Sequence, residues 1–544
     1  MPEQTPPEDP AAPAAERAPE RTTPRMLLAS AARFPDDLAV IDEDVRLTYT
    51  ALREAAFDVA RAAIAMGIRR GDRVGLWAPN SQRWIIMSLG LHCAGATVVP
   101  LNTRFRGPEA RDILTRVDAA AVFMEDGFLG YDYAGALREE PGVLTGVPLV
   151  DIADAGAAKP GVTGWHDFLA GAGTVSAETA RESALAVEPS DLAEIIFTSG
   201  TTGRAKGVTI PHGYSLDLYE KYGRIWGLRR GDRYLVSNPL FHTAGNKAGM
   251  ITSLMRGLTI VPLRVFDTRE VLRMIQDHGV SVMNGPPTVF YSLLESADRE
   301  AYDLSSLRVA ATGAAVVPVA LVERARTDLP FERFITAYGM TECFGTATMC
   351  REGDGAELIA NTSGRALPGI ELRVVDLDGN PLPPGEPGEV LIRGENVTPG
   401  YWDDPETTAA TIDAEGWLHS GDIGTLDADG NLKITDRLKD LFFVGGFTVS
   451  PAEIEQALAR HPAIAEVAVI GVPDERLGEV PRAYVVPRRG AEPDADEIIA
   501  WIRQRLANFK VPRGVEFVTA LPRNASGKLL KRDLRAAVAQ RSPA

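Results

Sequence analysis

The sequence predicts an α/β protein: a large N-terminal domain of layered α/β subdomains with a β-rich subdomain, followed by a small α+β C-terminal domain. Three observations carry this. Stretches of helical character alternate with short apolar runs from Thr48 onward, a Pro- and Gly-rich connection interrupts that rhythm near residue 380, and a fresh helix-start signal appears at Ser450. At 544 residues the chain is too long for one core, and length alone suggests roughly three or four domain-sized units.

The first alternation sets amphipathic stretches against apolar runs: Leu52 to Met66, Val74 to Trp77, Trp84 to Cys93, then Ala96 to Leu101. It returns at Val271 to His278 before Val280 to Asn284, and at Val319 to Arg326 before Phe334 to Ala337, which predicts a second α/β layer. Glu371 to Asp376 and Glu389 to Arg393 flank a turn at Asp378-Gly379-Asn380, favouring antiparallel strands in a small β-rich subdomain. Asp427-Ala428-Asp429-Gly430 lacks the closing ligands of a calcium loop and reads as a hairpin turn. Ser450-Pro451-Ala452-Glu453 offers a cap, a first-turn proline and a carboxylate three residues on, so a helix starts at about Pro451. Beyond it, strands at Ala465 to Val472, Ala483 to Val486 and Val515 to Val518, with a helix at Asp496 to Ala507, form a compact domain of about a hundred residues. The expected divisions are a disordered tail over 1–24, an N-terminal domain over 25–438 and a C-terminal domain over 439–544.

Composition narrows the function classes. With 45% hydrophobic and 24% charged residues the chain can bury itself. A formal charge of -17 repels polyanions, so nucleic acid is not an expected partner and any nucleotide needs a local site. Cys93, Cys343 and Cys350 show no metal-ligand spacing and no paired framework, which fits a reducing cytoplasm. The Pro-, Ala- and Glu-rich start lacks the pattern of a signal peptide, and no run approaches a membrane span.

The most informative string is Ile195-Ile196-Phe197-Thr198-Ser199-Gly200-Thr201-Thr202-Gly203-Arg204-Ala205-Lys206-Gly207-Val208, an apolar strand entering a loop dense in hydroxyls and glycines. Glycines let backbone amides face an anion, hydroxyls add donors, and Lys206 or Arg204 supplies charge, so Thr198, Ser199, Gly200, Thr201, Thr202, Gly203 and Lys206 can wrap a triphosphate. The order differs from the Walker loop, which disfavours a P-loop ATPase or GTPase. A flexible surface loop is the plain alternative for any shorter hydroxyl-rich stretch.

On this string the chain resembles the adenylate-forming superfamily of acyl-CoA synthetases, luciferases and peptide-synthetase adenylation domains. Further motifs extend the resemblance from about Met26 over nearly the whole chain. Tyr338-Gly339-Met340-Thr341-Glu342 matches Tyr-Gly-x-Thr-Glu, which implies that Tyr338 and Gly339 lie against adenine, Thr341 meets phosphate and Glu342 holds Mg2+. A carboxylate beside a triphosphate requires a divalent ion between them, since like charges repel. Ser420-Gly421-Asp422 and Thr435-Asp436-Arg437 imply ribose contacts for Asp422 and Arg437. Gly313-Ala314-Ala315 matches the segment along adenine, though tight strand-end packing explains it equally well. Pro239-Leu240-Phe241-His242 matches the segment lining the acyl site; relatives that activate amino acids carry an aspartate there, so His242 argues for a plain carboxylic acid. Pro522-Arg523-Asn524-Ala525-Ser526-Gly527-Lys528 matches the closing motif, whose lysine, here Lys528, reaches the substrate carboxylate and the α-phosphate.

The implied activity is ATP-dependent activation of a carboxylic acid to an acyl-adenylate, then transfer to the thiol of coenzyme A. Between the steps the C-terminal domain is expected to be mobile, pivoting at Lys439 to withdraw Lys528 and bring Gly445 and Gly446 to a pantetheine tunnel. The sequence departs from the family pattern at Asp436, where glycine is usual, and at Thr448 and Ser450. Thr435 to Asp440 and Gly285-Pro286-Pro287-Thr288 carry a closer likeness to actinobacterial ligases for propanoate side chains of polycyclic steroid fragments. That favours a bulky alicyclic acid in a pocket around Asn238 to Gly249, Asn284 to Phe290 and Cys343 to Thr346. Two other readings stay open: a protein running only the thioester half-reaction from a preformed adenylate, and a non-catalytic adenylate-binding protein. A homodimer is a family-level expectation.

Overall fold

The computed structural model describes residues 21–153, 159–198, 204–313, 317–444, 447–474, 476–523 and 529–541. The chain packs as two compact units: Met1–Glu371 with Ile392–Leu418, and Leu372–Leu391 with His419–Ala544. These divisions describe packing, and they group the β-rich segments with the C-terminal part; the expected boundary at 438/439 concerns a pivot.

The first unit holds two large sheets. One runs, strand by strand, Thr163–Gly164, Leu149–Asp151, Ala121–Met124, Arg73–Trp77, Thr97–Pro100, Leu192–Thr198 and Lys206–Pro211, parallel up to its last, antiparallel, pair. The other has a parallel centre, Arg333–Tyr338, Val309–Thr312, Val282–Gly285, Arg233–Val236, Thr259–Pro262 and Leu38–Asp42, with antiparallel strands at both edges. Parallel strands need crossovers, and the helices predicted between the apolar runs supply them, for example Thr268–His278 and Val319–Thr327.

One expectation changes here. The stretch Trp84 to Cys93 is not amphipathic: the helix Gln82–Cys93 is buried at every residue from Trp84 to Cys93. It shares one core with residues of both sheets, Val74 and Val98 from the first and Val40 and Ile260 from the second, so it has no solvent face to make polar. The neighbouring helix Tyr49–Ala65 crosses it closely because Gly90 has no side chain: a Cβ there would lie 2.7 Å from the carbonyl oxygen of Ala56 and inside the Val59 side chain. The N-terminal helix Thr23–Arg33 opens inside the stretch expected as a tail, because Thr22 accepts a hydrogen bond from the Arg25 amide and Pro24 suits the first turn.

A four-stranded sheet in the order Ile370–Val375, Gly388–Gly394, Leu418–Leu426 and Leu432–Arg437 has most of its residues in the second unit. Asp427 closes its last hairpin, its Oδ1 accepting from the amides of Asp429 (2.9 Å) and Asn431 (2.8 Å), as a turn and not a metal loop. A five-stranded sheet follows, built on the long hairpin Ile464–Asp474 and Gly478–Pro487, with Gly514–Phe517 added in parallel. The helix predicted at Pro451 spans Pro451–Leu458, capped by Ser450. The helix expected to reach Ala507 ends at Arg503, where the chain turns away.

Two predictions follow from this packing. Gly90→Ala forces apart two helices that have no room to move, and thermal or urea unfolding of the first unit is expected to show a loss of about 2 kcal/mol. The fully buried His92 has its pKa brought down by desolvation to about 4, with Glu194 opposing and Lys247 reinforcing the shift. Because the unfolded chain binds that proton near pH 6.5, the stabilisation is complete above pH 6.5 and falls as pH drops toward 4, by about 3 kcal/mol in all. Melting temperatures across that window are expected to decline less steeply in His92→Gln.

Candidate functional site

The central strands of the second sheet end together. Register pairs Leu235 with Met283, Gly285 with Thr312, and Thr312 with Thr336, so the carboxyl ends of four parallel strands form one edge. The segments singled out by sequence leave from this edge: Asn238 to His242, Gly285 to Thr288, Gly313, and Tyr338 to Glu342. In open α/β sheets this is where ligands bind, since the loops there are free of the crossover helices.

The first of these loops is held by Asn80. Its Nδ2 donates to the carbonyls of Val236 (3.0 Å) and Asn238 (2.9 Å), while its Oδ1 accepts from the Leu240 amide (2.7 Å). His242 is exposed, and its carbonyl accepts from the amides of Gly245 (3.0 Å) and Asn246 (2.9 Å), starting the π-helix Ala244–Ile251. The loop approaches so closely that a Cβ on Gly245 would stand 2.5 Å from the Asn238 carbonyl oxygen.

The Tyr338 to Glu342 segment is a tight reversal. Gly345 N donates to Met340 O and Ala347 N to Tyr338 O, both at 2.8 Å. Gly339 lies flat on the returning chain: a Cβ there would be 2.5 Å from Gly345 O and 2.6 Å from Thr346 Cα, while Gly345 itself has φ +104. Thr341 and Glu342 are thereby fixed in a short 3-10 turn with little exposure, and Tyr338 is half-buried. Gly313 sits with its Cα facing the Ala337 carbonyl, where a Cβ would come within 3.0 Å. Ala314 and Ala315 lie outside the described residues.

The Glu342 carboxylate is engaged by Tyr401, whose hydroxyl donates to Oε1 at 2.9 Å. Burial and the Glu342 charge both push the Tyr401 phenol upward, so it stays a donor. The Lys206 ammonium lies 5.2 Å from the Tyr401 ring centre. Tyr401 belongs to a strap bound to the strand Lys206–Pro211: Trp402 N donates to Gly207 O (2.7 Å), Thr209 Oγ1 to Gly400 O (2.6 Å) and Thr398 Oγ1 to Thr209 O (2.7 Å). The Thr398 amide closes the circuit on Glu342 O at 2.8 Å.

Ser199, Gly200, Thr201, Thr202 and Gly203 lie outside the described residues; their flanks do not. Thr198 pairs with Lys206 across the hairpin. Arg204 is exposed and bound to Asp112 at 2.7 Å, while Lys206 is the flanking cation over Tyr401. A cavity of about 430 Å³ opens next to it, lined by Arg116, Arg204, Ala205, Lys206, Trp402 and Asp404 among others. Among the described residues no group of three or more His, Cys, Asp or Glu could hold a metal. Glu342 fits a divalent ion shared with a ligand: a carboxylate offers about four acceptor sites, and one tyrosine hydroxyl leaves capacity for a cation.

In the second unit, Asp422 and Arg437 face each other across adjacent antiparallel strands, with Arg437 Nε 3.1 Å from Asp422 Oδ1. Asp436 and Ser450, read separately in the sequence, form one feature. Asp436 is buried; its Oδ2 accepts from Ser450 Oγ (2.5 Å) and the Ala452 amide (3.1 Å), capping the helix Pro451–Leu458. Lys439 sits in the short turn Leu438–Asp440. Gly445, Gly446 and Lys528 lie outside the described residues.

Several residues that build this edge went unread in the sequence: Asn80, Tyr401 with its strap, and the buried pair Glu194 and Lys247. Lys247 carried a signal, a lone charge in the apolar run Ala244 to Leu254, and a charge in such a run must find a partner. Asn80 and Tyr401 carried none, since their partners are remote in sequence.

Comparison with known proteins accords with this geometry. Residues 27–402 match the AMP-binding enzyme family and residues 453–528 its C-terminal domain. A ligase of Rhodococcus jostii, 3-[(3aS,4S,7aS)-7a-methyl-1,5-dioxo-octahydro-1H-inden-4-yl]propanoyl:CoA ligase, is 49% identical over 94% of this chain and 98% of its own. The Mycobacterium tuberculosis protein of the same name is also 49% identical, over 95% of this chain and 98% of its own. Among solved structures, the anthranilate CoA ligase AuaEII with anthranoyl-AMP superposes with a TM-score of 0.83 at 28% identity, over 95% of this chain and 97% of that one. ATP-bound MatB from Rhodopseudomonas palustris gives 0.82 at 28%, over 95% and 99%. A carboxyl-edge site, together with a match over most of the chain, means that this protein belongs to the AMP-binding enzyme family, as an acyl-CoA ligase that uses ATP, Mg2+ and coenzyme A.

Proposed function

We propose that the acid is a bulky alicyclic or polycyclic compound with a propanoate side chain. The observation that carries this is the 49% identity, over almost the full length of both chains, to two ligases named for a methyl-dioxo-octahydroindenyl propanoate. His242 agrees, since a buried substrate ammonium would need a carboxylate partner in this loop.

The residue roles belong to the same proposal. Ser199 to Gly203 with Thr198 and Lys206 cradle the phosphates, Tyr338, Gly339 and Gly313 to Ala315 bound the adenine, and Asp422 and Arg437 bind the ribose hydroxyls. The carboxylate of the acid attacks the α-phosphate in line, and pyrophosphate leaves. Lys528 offsets the repulsion between these anions, and Thr341 donates to phosphate. Mg2+ held by Glu342 supplies charge neutralisation on the nucleotide, and Tyr401 keeps that carboxylate in one orientation. The coenzyme A thiol then attacks the mixed-anhydride carbonyl past Gly445 and Gly446, with AMP as leaving group. Lys439 is the pivot between the two steps. Turning it opens the Asp436 cap on Ser450 and Ala452, whose partners stand on either side of it. Free, buried cysteines at 93, 343 and 350 support a reducing, cytoplasmic setting.

A paired assay tests this: pyrophosphate release from ATP without coenzyme A, and acyl-CoA formation from synthetic acyl-adenylates. Polycyclic propanoates are expected to exceed linear acids by about tenfold or more in kcat/KM; a preference for linear acids overturns the substrate reading. Lys528→Ala is expected to lose about 100-fold or more in pyrophosphate release while keeping most of the thioester step. Adenylate consumption with no pyrophosphate from any acid assigns the half-reaction reading instead. Tyr401→Phe is expected to weaken Mg2+ binding by about tenfold, measured by calorimetry in the presence of a non-hydrolysable ATP analogue, with folding retained.

A further inference from the structure

One buried ion pair has no part in the chemistry above. Lys247 and Glu194 are 1% and 0% exposed, with Nζ 2.6 Å from Oε2, and Oε2 has no aligned hydrogen-bond donor among the described residues. Asn246 Nδ2 lies 3.4 Å from the other carboxylate oxygen, and His92, which donates from Nε2 to the Ala193 carbonyl at 3.0 Å, stands 3.6 Å from it. Glu194 is on the strand Leu192–Thr198 that feeds the phosphate loop. Lys247 is in the π-helix Ala244–Ile251 that follows His242.

Stability alone gives little reason for such a pair, because apolar residues of similar volume often replace buried ion pairs at no cost. A fixed register gives a better one. A π-turn is wider than an α-turn, and eight residues of it are unusual, since π geometry mostly appears as single bulges at functional sites. The Lys247 carbonyl accepts from the Thr252 amide, five residues on, and also from the Thr252 hydroxyl at 2.9 Å, a second donor that favours this winding. If the segment reverted to α winding, everything before Lys247 would rotate about the helix axis by about 100° per residue of slip, carrying His242 and the loop held by Asn80 with it.

We propose that Lys247 and Glu194 are a positioning pair: their contact locks the π-helix on the phosphate-loop strand and so fixes where the acid is presented to the nucleotide. This rests on the reading that the loop Asn238 to His242 faces the acid. The pair acts through backbone placement and touches no substrate, so its loss weakens acid recognition without weakening ATP binding.

The test is the double variant E194Q/K247M, which leaves no unpaired buried charge, assayed by steady-state kinetics with the acid that the wild type turns over best. Expected are a melting temperature within about 3 °C of wild type, a KM for the acid raised about tenfold, a KM for ATP within about twofold, and a bulky-to-linear preference reduced about tenfold. A folded double variant with unchanged acid KM and preference overturns the proposal, as does a parallel rise in both KM values. Should the double variant not fold, Thr252→Val removes only the hydroxyl that donates to the Lys247 carbonyl beside the Thr252 amide. An acid KM raised about threefold with ATP unaffected sustains the proposal, and no change overturns it. Failure of the polycyclic reading is visible on the wild type alone, as a preference for linear acids, and leaves these ratios intact.

Discussion

A helix with no solvent face is the constraint on which the first unit depends. Gln82–Cys93 is enclosed by the core shared between two sheets, so neither of its ends can shift without opening that core. Just before its first turn stands Asn80, which clamps the loop carrying His242; in its last turn stands His92, beside Glu194 on the strand Leu192–Thr198. Two parts of the candidate site, on different sheets, thus take their positions from one rigid rod. The close crossing at Gly90 adds the helix Tyr49–Ala65 to the same arrangement.

What the sequence made legible was whatever is local. The apolar runs became strands because parallel strands buried on both faces read as short continuous hydrophobic stretches, as at Val309 to Ala311 and Val98 to Val99. The cap at Ser450 and the turn at Asp427 were visible because each depends on residues within four positions. Motifs such as Tyr338 to Glu342 were legible by resemblance, and the structure adds why the glycine is needed: Gly339 has backbone against it. Illegible were contacts between remote segments. Nothing near Tyr401 announces that its hydroxyl meets Glu342, and nothing near Asn80 announces three backbone partners around position 238. The helix Gln82–Cys93 was misread as amphipathic because its Gln82-Arg83 start and Ser88 suggest a polar side, while two sheets close over it from opposite directions.

The two units divide the labour in a manner the chain order does not suggest. Segments on either side of residues 392–418 belong to the second unit, yet 392–418 itself returns to the first as the strap over Lys206–Pro211. The polypeptide therefore passes three times between units in this region.

The bond between Asp436 and Ser450 ties two separated positions together. The two residues depend on each other: a buried aspartate needs the hydroxyl and the amide it accepts from, and the serine orients the carboxylate. Changing either residue alone strands a buried polar group. A substitution at 436 therefore reaches the helix Pro451–Leu458 through its cap, fourteen residues further along the chain.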